Sequence, residues 1–422
     1  MQLFALSIPF TNDAIVFGIL MSILGFVMYT SQGDHPFWKK FYRYCPALIL
    51  CYFVPALFHW PLGLIDPESS NLYFMASRYL LPASLVLLCL SIDLKAVMGL
   101  GSKALTIFFV ASGGIILGGP IALLICSSIA PDLVGVTPDQ LWRGLSTVAG
   151  SWIGGGANQA AMKEIYEVSD NLFGTMVIVD ILIGNAWLGA LLYGVNSSDK
   201  IDRWLKADNS SIEILKKKVE DYRLSVARDM TSKDLYILGG VAFGSVALAH
   251  LGSEMILPVL NQYREGIESM RLNSLLSGFF WLVVISTTIG VALSFTKARR
   301  LEGVGASRFG SMFIYILVAT IGMQMDIGEI WANKGLFAIG VVWMSIHVIT
   351  LFIVAKVIKA PYFFIAVGST ANVGGAASAP VVANAFHPAL APVGILMAVL
   401  GYALGTYGAI ICAELMRVAA GM

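Results

Sequence analysis

Ten runs of mostly apolar residues succeed one another along this chain, each about twenty residues long and so able to cross a bilayer as a helix. They cover roughly residues 12–30, 44–63, 76–93, 104–128, 172–195, 235–257, 275–296, 308–327, 335–357 and 391–416. At membrane depth no water pairs with backbone N–H and C=O groups, so each run is expected to form an α-helix. The expected fold class is an all-α polytopic membrane protein, multi-pass in a bacterial inner membrane, with the lipid bilayer as its main partner. Composition agrees: 57% of the 422 residues are hydrophobic and 13% charged, where soluble domains carry about 25% charged residues.

Several function classes fall away. A net charge of +1 gives no basis for a nucleic-acid partner. The cysteines Cys45, Cys51, Cys89, Cys126 and Cys412 form no CxxC pair and read as small buried hydrophobes. The N-terminal MQLFALSIPF lacks a basic n-region and a small-x-small site, so no removable signal peptide is expected. There is no Walker A sequence to bind ATP. Neither an HExxH zinc motif nor a pair of aspartates in facing spans is present, so no enzyme and no cofactor is expected.

Two apolar segments do not look like ordinary spans. They are 146–165, STVAGSWIGGGANQAAMKEI, and 363–386, FFIAVGSTANVGGAASAPVVANAF. Gly154, Gly155 and Gly156 are adjacent, and each costs about 1 kcal/mol relative to Ala in a helix interior. Pro380 interrupts the second segment. Non-helical backbone at membrane depth persists where protein buries it or it lines a watery cavity. Each segment is therefore a re-entrant loop or a broken helix. With both re-entrant and the N-terminus outside, the inside loops are 31–43, 94–103, 196–234, 297–308 and 356–360. These hold 20 of the 27 lysines and arginines, a positive-inside bias that full crossings would weaken. Trp38, Trp60 and Trp331, near span ends, read as interfacial anchors.

The halves resemble each other at an offset near 220–231. Ser77-Arg78-Tyr79 matches Ser307-Arg308-Phe309, and Ser91-Ile92-Asp93-Leu94 matches Gln324-Met325-Asp326-Ile327. Lys103-Ala104-Leu105 matches Lys334-Gly335-Leu336. In the Gly-rich segments, Val148-Ala149-Gly150-Ser151 and Gly155-Gly156-Ala157-Asn158 match Ala366-Val367-Gly368-Ser369 and Gly374-Gly375-Ala376-Ala377. Leu182-Ile183-Gly184-Asn185 matches Ala403-Leu404-Gly405-Thr406. Five crossings per half is an odd number, so the repeats are expected to be inverted. The expected organisation is a first membrane repeat at 1–195, a cytoplasmic polar connector at 196–234 and a second membrane repeat at 235–422.

Paired halves, each with a GG-containing segment before its last span, resemble the sodium/glutamate symporters and 2-hydroxycarboxylate transporters. More distantly they resemble cation/proton antiporters and bile-acid symporters. The stretch GSWIGGGANQAAMKEIYEVSDNLFGTMVIVDILIGNAWLG is most similar to an uncharacterised YjcL-like bacterial membrane family. The resemblance implies an inverted-repeat fold and cation-coupled transport. The residues after the GG pairs here, Ala157-Asn158 and Ala376-Ala377, differ from those of the better-known symporters, so no substrate is carried over.

A transporter replaces the water around its solute and ion with protein dipoles. Free N–H and C=O groups at interrupted segments suit this, with helix N-termini binding anions and unwound carbonyls binding Na⁺. The candidate substrate- and ion-binding residues are Ser151, Gly154, Gly155, Gly156, Asn158 and Gln159 from the first segment. The second supplies Ser369, Thr370, Asn372, Gly374, Gly375 and Ser378. Asp180 sits in the apolar run LFGTMVIVDILIGNAWLGALL, where a carboxylate costs at least about 2.5–3.5 kcal/mol. It should face the bundle interior, as a Na⁺ ligand or the carrier of a coupling proton. Asn185 is a candidate co-ligand and Thr406 its match in the second half. Asp93, Asp326 and His347 read as structural, and Arg78 and Arg308 as snorkelling residues.

The expected function is a secondary active transporter coupling a small, anionic organic solute (amino acid, small peptide or carboxylate) to Na⁺ or H⁺. The alternative is a cation/proton antiporter without an organic substrate. The interrupted segments and the spans 172–195 and 391–416 are expected to form a moving core, with the earlier spans as scaffold and homodimer interface.

Overall fold

The computed structural model describes residues 9–45, 47–90, 92, 97–129, 135–208, 212, 230–269, 273–325, 335–387 and 390–422. Asp93, Asp326, Trp331 and Lys334, and the repeat matches that use them, lie outside the described residues.

Polar caps set the starts of several helices. Asn12 accepts from the N–H groups of Ala14 and Ile15 to open α1 (Asp13–Ser31). The short α2 (Pro36–Tyr44) and α3 (Ala47–His59) follow. Next come α4 (Leu72–Leu90), with a π turn at Ala76–Leu80, and α5 (Ser102–Ile129). Thr137 caps α6 (Pro138–Gly154), which leads through Gly155 into α7 (Gly156–Ile165). Then come α8 (Asp170–Val195) and α9 (Ser198–Leu205). A capping box of Thr231 and Asp234 opens α10 (Ser232–Asn261). After a short helix at Arg264–Ser269 and a 3₁₀ turn at Asn273–Leu276 come α11 (Gly278–Ser294), α12 (Ala306–Gly322), α13 (Gly335–Ile358), α14 (Tyr362–Val373), α15 (Gly375–Phe386) and α16 (Ala391–Ala419).

Among the described residues seven helices are long and apolar enough to cross a membrane: α1, α4, α5, α8, α10, α13 and α16. α11 reaches that length only if joined to the 3₁₀ turn Lys297–Val304, which bends away from it by 95° and so leaves the line of the helix. The runs expected at 44–63, 275–296 and 308–327 fold as α3, α11 and α12, of 13, 17 and 17 residues. Apolar content extends past these helices, but their ends are set elsewhere. Ser277 caps α11, and α3 gives way to the turn at Trp60-Pro61. A helix of 17 residues is about 25 Å long, short of a roughly 30 Å hydrocarbon core.

Both Gly-rich segments fold as helical hairpins. Trp142, early in α6, meets Tyr166, just past α7, with ring centroids 5.1 Å apart. Arg143 Nη1 donates to Tyr166 O at 2.8 Å. Run straight, the intervening helix would separate these residues by about 35 Å. The chain reverses at Gly155, whose φ of 78° suits glycine. In the second segment Phe363 of α14 and Phe386 of α15 stand 5.3 Å apart, and Gly375 at the reversal has φ 60°.

The element order of the first half is α1, α3, α4, α5, hairpin, α8, and of the second α10, α11, α12, α13, hairpin, α16. Packing sorts them into two groups. In one, α4 lies against α11 and α12, and α3 lies on α12. In the other, α5 packs along α13 and α14, and α6 runs along α16. Glycine permits the closest approaches: a Cβ on Gly290 would stand 2.9 Å from the Val86 Cα. Beyond α8, the start of the connector docks on the second group. Asp202 Oδ1 accepts from Tyr362 N at 2.7 Å, and Lys103 Nζ pairs with Asp208 at 2.9 Å.

Candidate functional site

Asp180, near the middle of α8, is buried against the first hairpin. Ser151 Oγ donates to its Oδ2 at 2.6 Å and Trp152 Nε1 to its Oδ1 at 2.7 Å, both from the tip end of α6. Gln159 Nε2, on α7, donates to Oδ2 at 3.1 Å. One carboxylate thus ties both limbs of the hairpin to α8. Three donors offset much of the cost of placing it among apolar helices. The Gln159 Oε1 that remains is buried and has no hydrogen-bond partner among the described residues.

Beside Asp180 lies a cavity of about 210 Å³ between the two hairpin tips. Eight of the candidate residues line it: Ser151, Gly155, Gly156, Asp180, Asn185, Thr370, Gly374 and Ser378. The helices α7 and α15 begin at its wall, through Gly156 and the Gly374–Gly375 turn. The first N–H groups of a helix have no intrahelical partner, and the macrodipole makes that end partly positive. The cavity therefore has a carboxylate and two helix N-termini in its lining. It offers cation-binding and anion-binding chemistry side by side. Among the described lining residues Asp180 is the only carboxylate.

The other candidates are buried in networks around this cavity and do not line it. Thr406 Oγ1 donates to Asn158 Oδ1 at 2.6 Å, while Asn158 Nδ2 reaches Tyr402 O at 3.3 Å. Gly154 packs against Gly405 so closely that a Cβ on Gly154 would lie 2.5 Å from the Gly405 Cα. Ser112 Oγ donates to Asn372 Oδ1 at 2.7 Å, holding α14 on α5. Ser369 Oγ accepts from Trp187 Nε1 at 2.8 Å and lies 2.8 Å from His347 Nε2. His347 Nδ1 lies 3.1 Å from Ala111 O, which only accepts, so Nδ1 carries a proton. In the neutral ring Nε2 then accepts from Ser369. Gly375 forms the reversal itself.

At the open end of the first hairpin, ionic groups cross from one helix group to the other. Arg78 Nη1, on α4, pairs with Glu164 at 2.9 Å. Lys163 Nζ pairs with Asp170 at 2.9 Å and donates to Tyr73 Oη at 2.6 Å. The π turn of α4 carries Arg78.

Sequence reasoning did not single out Trp152, Trp187 or Tyr315. The first two reach the candidate polar groups through their indole N–H, and Trp187 and Tyr315 line the cavity. A tryptophan in an apolar run gives no signal of this kind, because the same residue anchors span ends. Spacing gives a partial one: Trp152 follows Ser151 at a helix end, so both reach one acceptor.

The chain is 26% identical over 357 residues to the "Uncharacterized membrane protein YjcL" of Bacillus subtilis (strain 168), covering 81% of this chain and 83% of that protein. With its apolar helices, this makes it a multi-pass bacterial membrane protein. The family described as "Protein of unknown function (DUF819)" matches residues 14–419, nearly the whole of the chain including both hairpins and Asp180, and the chain belongs to that family.

Proposed function

We propose that this protein is a secondary active transporter that couples a small anionic organic solute to Na⁺ or H⁺. The observation that carries this reading is the convergence of two hairpin tips and Asp180 on one cavity. Opposed repeats with interrupted segments in matching positions place a transporter's site at the repeat interface. The matching element order of the halves supports inverted repeats, with ten crossings if α3, α11 and α12 also span. In this reading the solute's carboxylate sits at the N-termini of α7 and α15. The coupling ion sits at Asp180, where the open Gln159 Oε1 supplies a further acceptor for Na⁺. Because α5 and α13, expected in the scaffold, pack with the hairpins, this reading moves them to the mobile side: the group of α5, α8, α13, α16 and the hairpins moves against the group of α1, α3, α4, α10, α11 and α12. The first helix of each half, α1 and α10, has only 28% of its span buried, which leaves both faces free for lipid or a second copy in a homodimer. A cation/proton antiporter is less well supported, since among the described residues lining the cavity Asp180 has no second carboxylate beside it. The test is uptake of labelled amino acids, short peptides and carboxylates into proteoliposomes under imposed Na⁺ and H⁺ gradients. Uptake that ignores both gradients rejects coupling, and no uptake of any solute with cation exchange intact favours the antiporter.

A further inference from the structure

A second cavity, of about 610 Å³, lies between α1 and α12 and shares Tyr315 with the central one. Its wall on α12 carries Arg308, Ser311 and Tyr315, spaced by three and four residues and so on one helical face. That polar stripe starts at an exposed arginine and ends at the residue common to both cavities. On α1 the groove is widened at Gly25, where an added Cβ would meet nothing within 4 Å, and Gln32, which caps the end of α1, also lines it. Arg308 makes no ion pair among the described residues. Glu302 lies near enough to feel its charge, but both Glu302 oxygens accept from Ser307, at 3.0 Å and 2.6 Å.

We propose that this groove is an aqueous vestibule for an anionic solute, in which Arg308 collects the anion and Tyr315 separates it from the central cavity. The proposal takes the sign of the solute's charge from the function proposed above and nothing from coupling. A positive charge at the mouth of a low-dielectric cleft concentrates anions there. An anionic lipid headgroup would pair with Arg308 equally well. Its acyl chain, however, would have to cover Ser311 and Tyr315, whose hydroxyls gain nothing from hydrocarbon.

The experiment places cysteine at Ser311 in the groove, and separately at Ser378 in the central cavity, in full-length protein in lipid nanodiscs. Reaction with anionic ethylsulfonate and cationic ethyltrimethylammonium methanethiosulfonates is followed by peptide mass. The anionic reagent is expected to modify the Ser311→Cys protein faster. Adding Arg308→Gln should slow it by roughly tenfold at low salt. Arg308→Lys should keep the rate, and high salt should narrow the difference. Tyr315→Ala should speed modification at Ser378→Cys. If neither reagent reaches position 311, lipid fills the groove and the proposal is wrong. Equal rates for both reagents with and without Arg308 overturn anion collection, and unchanged modification at 378 overturns the role of Tyr315. The readout is modification and not uptake, so a failure of the transport reading is separately visible.

Discussion

Thr406 on α16 donates to Asn158 on α7 at 2.6 Å, joining a hairpin of the first half to the last helix of the second. A threonine hydroxyl has one proton, so Thr287 of α11, whose Oγ1 lies 3.1 Å away, donates to Thr406 in turn. The relay runs through both helix groups. Thr406→Val keeps the side-chain shape and leaves Asn158 Oδ1 buried without a donor, at a cost of about 1–3 kcal/mol. Thermal unfolding in detergent should show a lower midpoint for Thr406→Val and a near-normal one for Thr406→Ser. A wild-type midpoint in the valine variant would mean the relay contributes nothing.

Asp180 accepts from three donors through two oxygens. Asparagine offers one accepting oxygen and turns an N–H₂ toward at least one donor. Asp180→Asn should therefore lose about 1–3 kcal/mol of stability and lose gradient-driven uptake, measured in the same preparation. Uptake with intact coupling in that variant would show that the carboxylate only holds the hairpin.

Two glycines near the site should respond differently to alanine. At Gly154 an added Cβ meets backbone, the Gly405 Cα at 2.5 Å, which cannot swing aside. Gly154→Ala should unfold at least about 1–3 kcal/mol more readily. At Gly184 the nearest atom is Val373 Cγ1 at 3.6 Å, an ordinary contact. Gly184→Ala should fold normally and only reduce the cavity it lines, so its effect belongs in solute affinity and not in melting temperature.

The Arg78–Glu164 pair bridges the two helix groups, with side-chain exposures of 32% and 9%. A double-mutant cycle with Arg78→Gln and Glu164→Gln should give a coupling energy of about 1–2 kcal/mol. A coupling near zero would remove the pair as a fastening between the groups.

In the polar turn between α11 and α12, burial holds Glu302 above the ordinary carboxylate range, against hydrogen bonds from Ser307 that pull it down. The folded protein then holds this proton more tightly than the unfolded chain does. Its contribution to stability falls as pH rises from the ordinary value of about 4.3 through the raised folded one. Glu302→Gln cannot ionise, so it should gain stability relative to wild type as pH rises across that window. Melting curves at the two ends of the window that shift in parallel would contradict this.

Much of the arrangement was legible in the sequence for stated physical reasons. The triplet Gly154-Gly155-Gly156 and the pair Gly374-Gly375 are poor helix interiors, and the two hairpins reverse there; Pro380, expected to interrupt the second segment, instead lies inside α15. A carboxylate in an apolar run must find donors, and Asp180 finds them in the neighbouring segment. Asn185 was expected near Asp180 and lines the same cavity without a hydrogen bond to it. Thr406 was expected as its match, yet it faces Asn158 instead. Repeat matching aligns backbone positions and says nothing of which neighbour a side chain meets. The lengths of α3, α11 and α12 were not legible, because apolar residues continue through turns as readily as through helices.

The packing of α6 and α7 on α16 also has a consequence for biogenesis. The ribosome finishes the first hairpin more than two hundred residues before it makes Gly405 and Thr406. Until then Asn158 Oδ1 lacks the donor that Thr406 supplies and Gly154 lacks the Gly405 surface it packs on, and irregular backbone does not survive against lipid. The newborn hairpin must wait in a sheltered form, and the last helix to emerge is the one that releases it into place.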